Sequence, residues 1–420
     1  MRPVSFISRF KRAVSVLALL ALVLGGVSFF GRALAKTDGL RKNGPYLADD
    51  RQYDVLFFGS SHVVNGVLPM QLWQDYGLTS YNLGGHGASV AASYWQLRLA
   101  ARVRKPKVAV LDVMFAGADS TEMSLGLAHE LLDFQPLSAL KVRAVCDLYA
   151  DPGDRAELLF PLDVYHNRWK ELNSDMVREG LGEGAAPSTE KGAQLRERTY
   201  PMAPRALIPE TEVRTQGSVG LTYVEKFVDY CRESGIEPVL TFLPSHLPEQ
   251  MQLDCNAAMA LGERLGVTVL NMQYTDLVDD AIDWADDGGH LNASGARKTT
   301  ACLGAFLREQ CGLEDHRGDG AYAGWARDYE DYVTFLNTEM WFMDNADGIL
   351  TLAATGLFSL EAAISPDFTD ETVLRQLESL GVTPAALAPG GSLSLTVRDS
   401  QGNVLQQATF TQGGSLVSAE

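Results

Sequence analysis

Short apolar runs and amphipathic stretches alternate along most of the chain from Asp54 onward. Val55-Leu56-Phe57-Phe58, bounded by Asp54 and Gly59, is too short for a helix and predicts a buried strand ending in a tight turn. Pro69 can open a short helix through Leu72 and Trp73 that Gly77 ends. Thr79 to Asn82 predicts a second strand, and Ser89 caps a helix carrying Tyr94, Leu97 and Val103. Lys107 to Val113 predicts a third strand, apolar on both faces as a covered parallel strand is.

Regularity lapses between Ala116 and Gln216, where helical pieces flank a proline-bounded stretch at Phe160-Pro161 and a Gly/Ala/Pro-rich linker runs from Gly180 to Ser188. A structureless loop of that length does not fit inside a compact domain, so residues 116–217 read as an inserted subdomain or lid. Alternation then resumes: a helix from Tyr223 to Ser234 ending at Gly235, a strand Val239 to Leu243, a helix Asn256 to Leu265 ending at Gly266, a strand Val267 to Leu270, and a helix Ala296 to Leu307. Five strands with intervening helices predict an α/β protein, a three-layer sandwich around a five-stranded parallel sheet. Ligands in such sheets sit beyond the C-terminal strand ends.

From Asp315 the pattern changes. Asp315 to Tyr332 is polar and aromatic and reads as a connector; Ile349 to Ala353 and Ser392 to Arg398 read as strands, Asp370 to Leu380 as a helix, and Ser400 to Asn403 as a hairpin turn. The expected organisation is an N-terminal segment 1–36, an α/β domain 50–312 interrupted by the insertion, a connector 313–345 and a small α+β appendage 346–420. Past the connector there is no histidine and no cysteine, so the appendage is assigned no chemistry.

The N-terminal segment has its own character. Arg2, Arg9, Lys11 and Arg12 precede an apolar run from Ala13 to Phe30, long enough to span a bilayer, with basic flanks that favour a cytoplasmic N-terminus. Ala33-Leu34-Ala35 resembles a small-x-small cleavage site, so two readings stay open: a single retained span anchoring the protein in the cell membrane, or secretion after cleavage near Ala35. Arg32 inside that region disfavours cleavage. In either case the rest of the chain is expected outside the cytoplasm. A formal net charge of −18 over 420 residues argues against a nucleic-acid partner, because phosphate binding needs a basic face. Five cysteines without C-x-x-C spacing leave no zinc or redox motif, and Cys302 with Cys311 is a candidate disulfide.

Two short motifs far apart in the chain carry the candidate chemistry: Gly59-Ser60-Ser61-His62 on the turn after the first strand, and Asp287-Gly288-Gly289-His290 ahead of the last α/β helix. A serine hydroxyl is a poor nucleophile until a base takes its proton, and that base works best when a third group orients it. A strand-end serine and an Asp-x-x-His supply all three parts. The glycine-rich turn Gly84 to Gly87 would let backbone N–H groups approach a developing oxyanion. The same residues have blander readings: a polar turn at Ser60-Ser61, a structural His290 with Asp287 as a helix cap, or a metal held by Asp286, Asp287 and His290, which lacks a further ligand elsewhere. No metal and no cofactor is called for.

In order and spacing, residues 54 to 310 resemble the SGNH (GDSL-type) hydrolase superfamily, named for blocks carrying Ser, Gly, Asn and His. Gly59-Ser60-Ser61 matches its first block, which implies Ser61 as nucleophile. Asn82-Leu83-Gly84-Gly85-His86-Gly87 matches its second, implying Gly87, with the N–H of Ser61, as oxyanion donors. Asp287 and His290 match its last, implying acid and base. The chain departs from the family where G-x-N-D often follows the third strand: Leu111-Asp112-Val113-Met114 has no asparagine there. That departure resembles a membrane-anchored branch acting on cell-envelope polymers, including proteins of teichoic-acid D-alanylation and polysaccharide O-acetylation. Tyr165-His166-Asn167-Arg168-Trp169 in the insertion is similar to a recurring feature of the branch. The resemblance implies a flavodoxin-like sheet and serine-dependent acyl transfer or ester hydrolysis on an envelope glycan, with a membrane-bound O-acyltransferase as a candidate partner. His62, Asn82, His86, His166, Arg168 and Trp169 are candidate substrate-binding residues. The competing expectation is a non-catalytic module of the same fold that binds glycan or the membrane acyltransferase.

Overall fold

The computed structural model describes residues 6–35, 37–180, 188–412 and 416–419, so most of the linker read at Gly180 to Ser188 lies outside the described residues. Two helices open the chain, α1 (Phe6–Leu34) and α2 (Thr37–Ala48). Residues Phe10–Gly31 of α1 are long and apolar enough to cross a membrane; Phe10 to Gly25 is exposed, and the stretch becomes buried only at Gly31.

The α/β pattern then begins with β1 (Val55–Phe58), α3 (Ser61–Gly66), α4 (Pro69–Tyr76), β2 (Ser80–Asn82), α5 (Val90–Val103) and β3 (Val108–Asp112). The helical stretch that follows holds α6 (Leu125–Leu132), α7 (Ala139–Leu148), α8 (Pro152–Leu159), α9 (Leu162–Tyr165), a 3-10 turn His166–Glu171 and α10 (Ser174–Gly180). The pattern resumes with α11 (Val219–Ser234), β4 (Glu237–Phe242), α12 (Glu249–Arg264), β5 (Thr268–Asn271) and α13 (Ala293–Gln310). These five strands pair entirely in parallel, in the order β2-β1-β3-β4-β5. The order reverses direction after β1, so the crevice beyond β1 and β3 is the place where such a sheet binds ligands.

Strand alternation sorts the core into two faces. Val55 and Phe57 of β1 join Val108 and Val110 of β3, Leu72 of α4 and Leu303 and Leu307 of α13 in one buried cluster. Phe58 points the other way and meets Phe227 of α11 edge-on, ring centres 5.7 Å apart. On that face α12 comes so close at Gly262 that a Cβ there would lie 2.7 Å from Leu240 and 2.9 Å from Val269. The lower ends of β1 and β2 are locked by the buried Asp54 carboxylate, which accepts from the Thr79 hydroxyl (2.9 Å), Lys107 (2.8 Å) and His316 Nε2 (2.9 Å). His316 belongs to the stretch read as a connector, which is therefore docked on the sheet.

The remainder comprises α14 (Ala323–Phe342), α15 (Ala346–Ala353), β6 (Ser359–Ile364), α16 (Glu371–Ser379), β7 (Ala385–Ala386), β8 (Ser392–Arg398), β9 (Val404–Thr411) and β10 (Leu416–Ala419), with a second sheet ordered β10-β9-β8-β6-β7. One expectation fails: Ile349 to Ala353 is helix, not strand. Asn345 caps it by accepting from Gly348 N (2.7 Å), and Ile349, Leu350, Leu352 and Ala353 are all buried, so the run is apolar all round and carries no period to separate strand from helix. Cys302 and Cys311 are free thiols.

The chain divides into two compact units, Met1–Asp50 with Glu122–Pro187, and Arg51–Thr121 with Ser188–Glu420. The expected insertion 116–217 is thus split. Its helical part joins α1 and α2 in the first unit, and residues 188–217 belong with the sheets.

Candidate active site

β1 delivers its chain to Gly59, whose φ of +146° and crowding decide the residue type: a Cβ there would lie 2.6 Å from Val63 Cγ2 and 2.9 Å from Asp112 Cβ. Ser60 caps α3, its hydroxyl accepting from His62 N at 3.3 Å, and Ser61 becomes the first residue of the helix. The glycine turn is clipped to this corner by Gly85 N donating to Gly59 O (2.9 Å). Asn82 completes the clip. Fully buried, it donates to Val63 O (2.7 Å) and Val67 O (2.9 Å) and accepts from Gly84 N (3.1 Å). With its amide spent on backbone, Asn82 is an architectural residue and no longer a substrate-binding candidate.

His290 arrives from the far side. Ala285 N donates to His290 O (2.8 Å), and a bridge between Trp284 and Leu291 closes the turn just before Asn292 caps α13. The turn brings His290 Nε2 to 2.7 Å from Ser61 Oγ. Its Nδ1 lies 2.9 Å and 3.0 Å from the two oxygens of Asp286, so the ring proton sits on Nδ1 and Nε2 is left to accept from the serine.

The carboxylate that holds His290 is therefore Asp286, not the expected Asp287. Asp286 Oδ1 also accepts from Gly288 N (3.0 Å) and His290 N (3.3 Å), which folds the carboxylate back under the imidazole, whereas Asp287 is exposed to solvent. The Asp286-Asp287 doublet was the only signal in the sequence, and its register depends on how the turn closes.

His62 packs its ring beside that of His290, centroids 5.1 Å apart and planes tilted 35°. It is buried, its Nε2 has no hydrogen-bond partner among the described residues, and burial, then the neighbouring His290, push its pKa down to about 3. His62 is thus a neutral wall of the site rather than a solvent-facing ligand. His86 stands half-exposed on the glycine turn with Nε2 3.2 Å from Gln194 Oε1. Gln194 lies on a strap, residues 188–196, that runs along α3: Asn82 N donates to Lys191 O (2.9 Å), Gln194 N to Val64 O (3.0 Å), and Asn65 Nδ2 to Gln194 O (2.9 Å). Gly87 is exposed at φ +60°.

Two neighbours escaped the sequence. Asp112, at the end of β3, is buried under Gly59 and accepts from Met114 N (3.2 Å) and Leu243 N (3.0 Å); burial raises its pKa to about 7 despite those bonds. His246 follows β4 and abuts the loop of His290, since a Cβ on Gly289 would lie 3.1 Å from His246 N. Its ring meets Trp284 edge-on at 4.7 Å, and its Nε2 lies 3.2 Å from the Asp280 carboxylate, which Arg205 also holds. A lone histidine after a strand gave no signal.

His166, Arg168 and Trp169 belong to the helical unit. Arg168 Nη1 donates to Leu34 O (2.7 Å) and Ala35 O, and its Nε pairs with Glu171. His166 Nδ1 lies 2.5 Å from Asp163 O, and Trp169 is 63% exposed. Arg168 is therefore committed to the end of α1.

As a chemical device, the α/β unit offers a serine hydroxyl on a base whose tautomer is fixed by a carboxylate, a geometry suited to attack on an ester carbonyl. No protein-family model and no curated protein sequence matches the chain.

Proposed function

We propose that this chain is an anchored, extracytoplasmic protein of the SGNH (GDSL-type) kind that moves an O-acetyl group on or off a cell-envelope polysaccharide through a serine acyl-enzyme. The observation that carries this reading is the unbroken hydrogen-bonded line from Ser61 Oγ through His290 to Asp286, beyond the C-terminal ends of β1 and its neighbours. Ser61 Oγ forms a bond to the acyl carbonyl carbon as its proton passes to His290 Nε2. The imidazolium, held by Asp286, then returns the proton to the departing alcohol oxygen. A sugar hydroxyl or a water reverses the sequence and regenerates the serine. The N–H groups of Ser61 and Gly87 have no acceptor among the described residues and are the donors assigned to the oxyanion. The envelope glycan is the substrate, and a membrane-bound O-acyltransferase is the partner that would supply the acyl group.

One observation favours the rival, a non-catalytic module of this fold that binds glycan or that partner: Leu111-Asp112-Val113-Met114, at the end of β3, holds no asparagine where the family often places a donor, and loss of one such donor costs about a hundredfold or more. The two are separated by a serine-directed fluorophosphonate and by envelope acylation in cells. Wild-type protein should label, while Ser61→Ala and His290→Ala should neither label nor sustain acylation though both stay folded. Full acylation in cells whose only copy is Ser61→Ala would hand the case to the binding module.

A further inference from the structure

α1 changes surroundings along its length. Leu17, Leu19, Leu20 and Leu22 are 52–74% exposed, whereas Ala33, Leu34 and Ala35 are 2–3% exposed. The buried end is held by its own unit: Leu34 and Ala35 pack with Phe134, Tyr165 and Met176. A Cβ on Gly31 would lie 3.6 Å from Pro161. The last carbonyls of a helix lack intrahelical donors, and here Arg168 supplies them at Leu34 and Ala35. A peptidase binds its scissile segment extended and accessible; Ala33-Leu34-Ala35 is neither.

The clasp also fixes heights along the helix. The apolar stretch Phe10–Gly31 has 22 residues, about 33 Å at about 1.5 Å per residue, close to the hydrocarbon thickness of a bilayer. Val27, Ser28 and Gly31, its last turn, line one cleft with Leu137, Phe160 and Pro161; in a retained span those three residues would stand at the level where it leaves the hydrocarbon. Arg168 reaches the helix about one turn farther out, with Trp169 beside it. At these levels apolar side chains face outward beside charged ones such as Asp163, Lys170 and Glu171. Leu137 (36%), Phe160 (38%) and Trp169 (63%) face outward, while Asp133 and Lys141 of the same cleft are buried, Asp133 bound to Tyr165 Oη (2.8 Å) and His129 (2.8 Å). Apolar and aromatic groups outward at that depth match the belt found where proteins meet headgroups.

We propose that the helical unit is a collar seated on the membrane–water interface around the uncleaved anchor, with Leu137, Phe160 and Trp169 immersed at the headgroup–acyl boundary. The proposal rests on the reading of α1 as a retained span. It makes the bilayer itself the partner of this surface.

The test uses the full chain in vesicles of phosphatidylcholine and phosphatidylglycerol, with Cys146, Cys302 and Cys311 each replaced by serine. A nitroxide is attached at Phe160→Cys, at Trp169→Cys or, as a control on an exposed strand of the other unit, at Val404→Cys. Relaxation by oxygen relative to a water-soluble nickel complex should be several-fold higher at 160 and 169 than at 404. Equal nickel access at all three, with the N-terminus intact by mass spectrometry, overturns the collar and leaves the anchor standing. A mature chain beginning after Ala35 overturns both.

Discussion

His290 is engaged at both ring nitrogens, and only one of its two acidic neighbours does the holding. Asp286 touches Nδ1 and is itself fixed by two backbone N–H groups; Asp287, one residue on, is in solvent. Asp286→Asn would present an amide to Nδ1, favour the wrong tautomer and leave Nε2 unable to accept from Ser61. Fluorophosphonate labelling rates for this variant should fall by about 10³–10⁴, and those for Asp287→Asn should stay within a few-fold of wild type. The reverse ranking would show that the turn opens in solution and that the Asp-x-x-His spacing describes the working acid. Ser61 and His290 could be picked out from the sequence because a strand-end serine and a pre-helix histidine are local patterns. The choice between adjacent aspartates could not, since it turns on how residues 285–290 close on Asp286 Oδ1. His62, next to Ser61 in the chain, was already a candidate and does lie beside His290, but His246 lay beyond reach, since only the folding of β4 and its following loop against residues 285–290 brings it there.

Among elements, the parallel strands and the helices ended by Gly77 and Gly235 were legible from apolar runs and their punctuation, to within a few residues. The run Ile349 to Ala353 was not, because complete burial erases the period that would identify it. The brace between β3 and β4 was equally silent. Asp112 Oδ1 accepts from Met114 N and Oδ2 from Leu243 N, joining the two strand ends below the serine turn. Burial lifts its pKa from the ordinary 3.8 to about 7, so the folded protein holds this proton more tightly than the unfolded chain does. The contribution is fully present below about pH 4 and is lost as pH rises to about 7. Asp112→Asn carries no such proton and offers one acceptor in place of two. Its melting temperature should lie below wild type at pH 4, and the gap should narrow on going to pH 7, measured by calorimetry. A gap independent of pH would mean that Asp112 is ionised in the folded protein throughout.

At the scale of the molecule, the sequence separates an anchor, an insertion and an appendage, and the structure groups them otherwise. α1 and α2 share a unit with α6 to α10, a pairing made by contacts such as Arg168 with Leu34 that no local pattern encodes. The appendage, assigned no chemistry, is wired toward the site within its own unit. Thr199, on the chain that leaves the strap, donates its N–H to Asp347 (2.7 Å). Its hydroxyl is shared by Thr351 (2.8 Å), Gln376 (2.9 Å) and Asn292 (3.1 Å). Asn292 caps α13 two residues after His290. Replacing that hydroxyl by a methyl in Thr199→Val strands several polar groups, at a cost of about 1–3 kcal/mol. Because the network joins the cap of α13 to α15 and α16 through one hydroxyl, the wild-type α/β part and the C-terminal appendage should unfold in a single transition, and the variant should lower it as a whole. Fluorophosphonate labelling should slow in parallel, since a loosened Asn292 cap lets the His290 turn wander. Two separate transitions in the wild type, with only the lower one moved by Thr199→Val, would show the appendage to be an independent passenger.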